Sequence, residues 1–424
     1  MNIKSYEFKK IITSPIIIAL MIIFISFNFF IIYQNRYYKD ELKVLNKIVD
    51  KVGHEIDDNM MAKFKIYYEE ELNKVNEITY NKTFRTYKSA FEILESLNYN
   101  QGKSKEDIYS KSELDLINEV GIIEAYYNTI EGIDDTYEKL DFMQIAEGEI
   151  KKYRLSGAAA ETVRKEYEDF AKRFHQLIKN EEHKNLFFMG RVYRMHSLLF
   201  KTLFRSFIFE IMILSVLITA FIVNYEFDNS THLLAYSSKK GRGLIVDKFL
   251  ASMVTTLLIA TLIMGLGLLT YFLQFDYYEL WQVPISSYFN AEYDLPYMSW
   301  WNMSFIQYLL LGIGVIYICS LIFNGIAFII SRFVKNSYIV FFIFAILFGL
   351  VLVLPRAAPT HSNLIFLGAF TPFMLIMNSF VWFMESGAFT TFKYYEFITL
   401  SLWGIITISL SGLSIKSFKK EDIY

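Results

Sequence analysis

The chain has 424 residues, 54% of them hydrophobic and 18% aromatic, with a mean hydropathy of +0.28 and a formal net charge of −2. That composition excludes a disordered chain and fits a polytopic membrane protein carrying one polar domain. The lone cysteine, Cys319, excludes an intrachain disulfide, and one cysteine with six scattered histidines offers no zinc spacing.

Residues 1–13 place Ile3, Tyr6, Phe8 and Ile11 among lysines and predict a cytoplasmic, interfacial helix. Residues 14–35 predict the first span. No charged side chain lies between Ile11 and Asn35, and about twenty apolar residues cross a bilayer. Its bulky end, Phe29 to Tyr33, is unlike a signal-peptide cleavage site, so the span reads as an uncleaved anchor with its N-terminus inside.

Residues 36–201 are dense in Lys, Glu and Asp and lack proline. Apolar residues recur at helical spacing, as in Phe84, Tyr87, Phe91, Leu94 and Leu97 and again in Tyr167, Phe170, Phe174 and Leu177. The stretch reads as a large helical extracytoplasmic domain inserted between the first two spans, broken near Gly53, Gly102 and Ser156 to Ala160. Its chemistry-like fragments carry no site. Gly102-Lys103-Ser104 lacks the upstream glycine and strand of a phosphate-binding loop, and His54-Glu55 lacks the second histidine of a zinc protease helix. His175 and His183, among lysines and glutamates, read as solvated, and the tyrosines as packing.

Residues 206–225 predict the second span, with one charge, Glu210. An ionisable side chain inside a span faces protein or water, so Glu210 is a candidate intramembrane functional residue. A polar break follows at 226–246. Asp228, Asn229 and Ser230 are helix-capping types ahead of Thr231-His-Leu-Leu-Ala-Tyr236, and Gly241 supplies a stop, which predicts a short helix on the membrane surface. The third span is 247–275. The outer loop 276–303 holds Asp276, Glu279, Glu292 and Asp294 but no Lys or Arg, together with Trp281, Trp300 and Trp301, which suit a bilayer interface.

The fourth and fifth spans, 304–331 and 337–355, flank the basic turn of Arg332 and Lys335. The last span is 396–415, followed by a cytoplasmic tail, 416–424. Basic residues thus cluster at the N-terminus, at Lys239, Lys240, Arg242 and Lys248, at Arg332 and Lys335, and at Lys416, Lys419 and Lys420. The positive-inside rule assigns all four sites to the cytoplasm. This parity leaves 357–385 unable to cross, since a crossing would put the basic tail outside. Pro359, Asn363, Gly368, Pro372 and Asn378 interrupt that stretch, and broken backbone at membrane depth needs protein or a wet cavity around it. The expectation is a re-entrant outer segment and six true spans, with a seventh crossing as the alternative. The fold class is therefore an all-α polytopic membrane protein.

The chain resembles the permease subunit of an ABC-2 type transporter. Such permeases carry a glutamate after the second span, a Gly/Ser-Thr pair, paired leucines, a small-polar run, and a basic residue before an apolar helix with a lysine near its start. The matching positions are Glu226, Ser230-Thr231, Leu233-Leu234, Tyr236-Ser237-Ser238, Arg242 and Lys248; Tyr6-Glu7-Phe8-Lys9-Lys10 followed by Ser14-Pro15 is similar to the family's opening stretch. Family members usually have glycine where Ser230 stands and a shorter first outer loop, so the resemblance leaves 36–201 unaccounted for.

The resemblance implies an exporter permease whose 226–246 region holds a coupling helix. Glu226, Ser230, Thr231, Leu233, Leu234, Tyr236, Arg242 and Lys248 would form the interface with a separate cytosolic ABC ATPase subunit. It also implies a second permease subunit, as homodimer or related heterodimer. The chain has no Walker motif, so ATP is expected on the partner, with no cofactor, catalytic residue or metal of its own. The expected setting is a bacterial plasma membrane with both termini cytoplasmic, and no nucleic acid as partner. The spans lack a trail of charges, which points to peptide, antimicrobial or lipid-like cargo. The alternative is a membrane sensor or scaffold whose outer helical domain binds a ligand or envelope partner.

Overall fold

The structure is a computed structural model that describes residues 3–99, 108–189, 195–238, 240–292 and 295–420. Gly102-Lys103-Ser104, Lys239 and Asp294 lie outside the described residues. Among the described residues the fold is helical, apart from a two-residue antiparallel pair, β1 (Ala291–Glu292) and β2 (Leu295–Pro296), in the loop before the fourth apolar helix, and isolated bridges such as Ser299 with Met384.

Among the described residues, six helices are long and apolar enough to cross a membrane: Pro15–Gln34, Ser197–Asp228, Gly241–Gln274, Phe305–Phe333, Ser337–Pro355 and Tyr395–Phe418. The second is the centre of the bundle, with 72% of its most apolar window buried, against 22% for the first and 11% for the fifth. It begins with a π-helical turn, Ser197–Leu203, upstream of the uncharged run that opens at 206. Lys201 and Arg205 end the uncharged pattern in the sequence but not the helix, because Lys201 lies over the Phe380 ring and Arg205 donates to the Met377 carbonyl at 2.9 Å.

Around this centre, whose α-helical part is α10 (Phe204–Asp228), lie α1 (Ile3–Ile12), α2 (Pro15–Gln34), α12 (Leu244–Gln274), α13 (Phe305–Phe333), α14 (Ser337–Ala357) and α18 (Tyr395–Phe418). Two of them, α12 and α13, are joined to α10 by a buried polar cluster. Asn324 of α13 donates to Thr219 of α10 at 2.7 Å and lies within hydrogen-bond distance of Ser252 (3.2 Å) and Thr256 (3.1 Å) of α12. Small polar side chains hold apolar helices together where lipid supplies no competing water.

The polar domain contains α3 (Tyr38–Val52), α4 (Asp58–Thr83), α5 (Ala90–Tyr99), α6 (Lys111–Glu131), α7 (Ile133–Glu138), α8 (Phe142–Tyr153) and α9 (Gly157–Lys179). Local signals set its boundaries. The α3 helix ends at Gly53, with φ +90°, and the Asp57 carboxylate caps α4 by accepting the Met60 N–H at 2.6 Å. Ser110 and Glu113 cap α6 reciprocally. The far tip has its own small core of Val75, Ala90, Ile93, Ile117 and Val120. The near part has none of its own, because Tyr38, Phe142, Tyr167, Phe170 and Phe174 belong to one core continuous with the apolar helices.

Residues 357–385 form short helices, among them Leu364–Leu367 and Pro372–Leu375, and the apolar stretch Pro372–Val381 is too short to cross a bilayer. Side chains of neighbouring elements satisfy the broken backbone. The carbonyl of Ala369 accepts from the Tyr395 hydroxyl (2.7 Å), that of Phe370 from the Trp403 indole (2.9 Å), and that of Phe380 from His196 Nε2 (2.6 Å). Asn290 donates to the other ring nitrogen of His196 at 3.2 Å, so the histidine is the Nε2–H tautomer.

Candidate functional site

At the end of the bundle away from the polar domain, α10 stops in a reversal that the local sequence builds. Ser230 adopts φ +55°, its N–H reaches the Phe227 carbonyl at 3.1 Å, and the Thr231 N–H reaches that of Glu226 at 2.8 Å. This is a Schellman stop, whose left-handed position is normally glycine. The departure at Ser230 therefore sits on a backbone conformation that glycine adopts without strain. Thr231 then precedes a six-residue helix, α11 (His232–Ser237), and its side chain makes no capping bond.

The eight residues of the break divide by direction. Leu233 and Leu234 point out, 56% and 79% exposed, and Ser230 and Thr231 are exposed beside them. Tyr236 turns inward, edge-on to Phe418 at 5.2 Å and 5.8 Å from the Phe227 ring, so only its rim reaches the surface. A cavity of about 480 Å³ opens among Leu233, Leu234, Tyr236, Ser237 and Arg242. Arg242 is half-buried and donates to the Lys419 carbonyl at 3.3 Å.

Glu226 and Lys248 lie underneath, both buried and ion-paired. Lys10 of α1 donates to Glu226 at 3.0 Å and to Glu7 at 2.9 Å, and its ammonium stands 4.3 Å from the Tyr225 ring centre. Lys248 also donates to the Val223 carbonyl at 3.3 Å. A chain of alternating charge, Glu7, Lys10, Glu226, Lys248, thus ties α1, α10 and α12 together. The neighbouring Asp247 is buried and paired with Lys240. Asp247 and Phe418 carry no signal in the sequence, and Glu7 and Lys10 stand out there only as part of the opening stretch, since Lys10 and Glu226 meet across 216 residues and no local pattern announces the pairing.

The four basic groups converge on this one end. Arg332 reaches Ser417 at 3.3 Å, Lys335 lies over the rings of Phe227 (4.7 Å) and Phe418 (5.0 Å), and Asp228 bonds Ser337. Glu210 belongs elsewhere: it is buried within the bundle, where Asn28 of α2 donates to it at 2.7 Å.

The opposite end is fastened differently. Arg173 of α9 grips Glu182 through both terminal nitrogens (2.9 and 2.5 Å) and donates to the Trp300 carbonyl at 3.0 Å, with both charged groups buried. The Trp300 indole donates to the Thr391 carbonyl at 2.9 Å, Tyr167 to Glu385 at 2.6 Å, and Thr162 to Asn363 at 2.9 Å. His183, expected in solvent, is buried against the Tyr137 ring at 4.4 Å, and burial pushes its pKa down to about 4. Periodicity could not show this, because the ring is covered by a partner 46 residues earlier in the chain.

Among the described residues, no group of three or more His, Cys, Asp or Glu side chains converges as a metal site requires. No curated protein and no solved structure gives a significant match to the sequence. The profile of the ABC-2 family transporter proteins does match, over residues 1–423. The family is one of membrane transport subunits that associate with an ABC ATPase. An all-α bundle with six apolar helices and a profile match along the whole chain lead to one assignment: the protein is a multi-pass membrane permease component belonging to the ABC-2 family of transporters.

Proposed function

We propose that the chain is the permease of an ATP-driven exporter, and that a cytosolic ATPase subunit docks on α11. The observation that carries this is the outward pair Leu233 and Leu234 above the cavity they share with Arg242. Their side chains fill a groove of the partner, and Arg242 and the α11 backbone line the rim. ATP-driven closure pushes α11. The push reaches α10 through the Schellman stop and α12 through the short turn Gly241–Gly243, while the chain of Glu7, Lys10, Glu226 and Lys248 makes α1, α10 and α12 move together.

The convergence of the basic groups on the α11 end supports a cytoplasmic setting for that end and for both termini. The polar domain then lies outside the membrane of a bacterial cell, and 357–385 is a re-entrant outer segment whose backbone is satisfied by covering side chains. A second permease subunit packs against the little-buried α2 and α14, which flank a shared cavity of about 530 Å³ beside Phe221 and Asp228. The cargo is a peptide, antimicrobial or lipid-like molecule.

The docking surface is tested by Leu234→Asp. The side chain is exposed, so the variant inserts and folds normally, yet ATPase co-purification is lost. Undiminished co-purification would exclude α11 as the docking element and favour the sensor or scaffold reading.

A further inference from the structure

The helices α13 and α18 touch at one end and part at the other. At Gly325 a Cβ would lie 3.2 Å from that of Thr407, whereas at Gly314, three turns nearer the polar domain, nothing lies within 4 Å. The splay opens a groove of about 830 Å³, within the range of small-molecule sites. Its walls are the stripe Leu310, Leu311, Val315 and Ile318 of α13, at helical spacing, and Phe397 and Leu400 of α18. Leu310 and Phe397 are 59% and 48% exposed, so the groove opens sideways, where lipid surrounds the bundle.

The mouth of the groove is not apolar. Trp301 and Tyr394 stand there with ring centres 6.1 Å apart, an aromatic pair of the type found where a bilayer meets water. Tyr394 is also the partition between the groove and a second cavity, about 450 Å³, under the polar domain. That cavity is lined by Glu166, Asp169, Lys172 and Lys393. Asp169 and Lys172 pair with each other at 2.8 Å. Lys393, whose ammonium stands 5.6 Å from the Tyr394 ring centre, and Glu166 have no ion-pair partner among the described residues. The Glu396 carboxylate that also lines the groove accepts the Phe383 N–H at 2.7 Å, which leaves Lys393 and Glu166 as the charges at the head of a largely apolar slot.

We propose that this two-part site binds one bilayer phospholipid with a zwitterionic head. One acyl chain lies in the groove between α13 and α18, the phosphate meets Lys393, and the head-group amine meets Glu166. Charge complementarity selects this occupant. An anionic head would answer Lys393 but repel Glu166, and an apolar helix from another protein would fill the slot without offering an ion pair to either charge. The lipid also explains how the mixed-charge cavity and the greasy groove come to share one wall.

Trp301 makes the site readable in the full-length protein. In mixed micelles, phosphatidylethanolamine brominated on its acyl chains should quench the Trp301 contribution, defined as the part lost in Trp301→Phe. Half-quenching should need roughly fivefold less of it than of brominated phosphatidylglycerol, the size expected when one exposed ion pair is exchanged for a repulsion. Gly314→Leu fills open space and should abolish the quenching, and Ser401→Phe should do the same from the other wall should the first variant fold poorly. Glu166→Gln should erase the head-group preference while leaving the chain in place, because only Glu166 tells the amine-bearing head from the anionic one. Equal quenching by the two lipids, or full quenching in the folded groove-filling variants, would overturn the proposal. So would disulfide cross-linking of two Leu310→Cys chains across the groove, which would show a second copy as its occupant.

Discussion

The two ends of the bundle hold their pieces together by different physics. At the α11 end, α1, α10 and α12 are joined by four alternating charges, and aromatic rings lie under Arg332 and Lys335. At the other end, the polar domain is fixed by hydrogen bonds to backbone carbonyls and by a core continuous with the apolar helices. Charge pairs tolerate small rotations of the helices carrying them, because a Coulomb attraction falls off slowly with distance. A single N–H aimed at a fixed carbonyl, as from Arg173 Nε to Trp300, does not, since hydrogen bonds weaken steeply off axis. The contrast suits a permease in which one end yields and the other is rigid.

Breaking the rigid end should have the largest effect. Arg173→Ala strands Glu182 in a buried site and frees the Trp300 carbonyl, and a broken buried pair costs about 3–5 kcal/mol. Thermal unfolding in detergent should shift by that equivalent, and limited proteolysis should release the polar domain. A domain as resistant as that of the native protein would show that Arg173 is not the fastener. Lys248→Met tests the yielding end and should cost less, about 3 kcal/mol, because Glu226 keeps Lys10. Adding Glu226→Gln should recover most of the loss, and a double variant as unstable as the sum of the singles would deny that the two residues act as a pair.

His183 gives a smaller effect with a defined sign. Its folded pKa is depressed, so between the ordinary histidine value of 6.5 and about 4 the unfolded chain binds more protons. Stability present above pH 6.5 is therefore lost as pH falls through that window. His183→Gln should flatten the decline between pH 7 and pH 5 by no more than about 2 kcal/mol, read as the difference between two melting curves. Parallel curves would place the acid-sensitive group elsewhere. Smallest of all, Ser230→Gly should raise the melting temperature by the equivalent of a few tenths to about 1 kcal/mol, by relieving a left-handed serine. A lower melting temperature would mean that the serine hydroxyl contributes more than its backbone costs.

Much of the fold was legible in the sequence. Uncharged runs of about twenty residues mark the apolar helices directly, since the bilayer sets their length. The broken character of 357–385 was also visible in its prolines, glycine and asparagines. The candidate site was legible only in part: the paired leucines and Glu226 could be picked out, but not which of them face outward. Tyr236, grouped with the leucines by its position, turns to Phe418 instead, because the end of α18 closes over it.

By itself the sequence determined composition-driven properties: the membrane class, the helical character, the polar insertion between the first two apolar helices, and the order of motifs carrying the family resemblance. These rest on local periodicity and charge, which need no partner to be read. The tertiary structure alone decided the pairings of Lys10 with Glu226, Arg173 with Trp300, and Asn28 with Glu210, each joining residues more than a hundred positions apart. It also decided that Leu234 is left open while Tyr236 is covered. Such contacts depend on which helix faces meet, and helix packing, not local sequence, sets that choice.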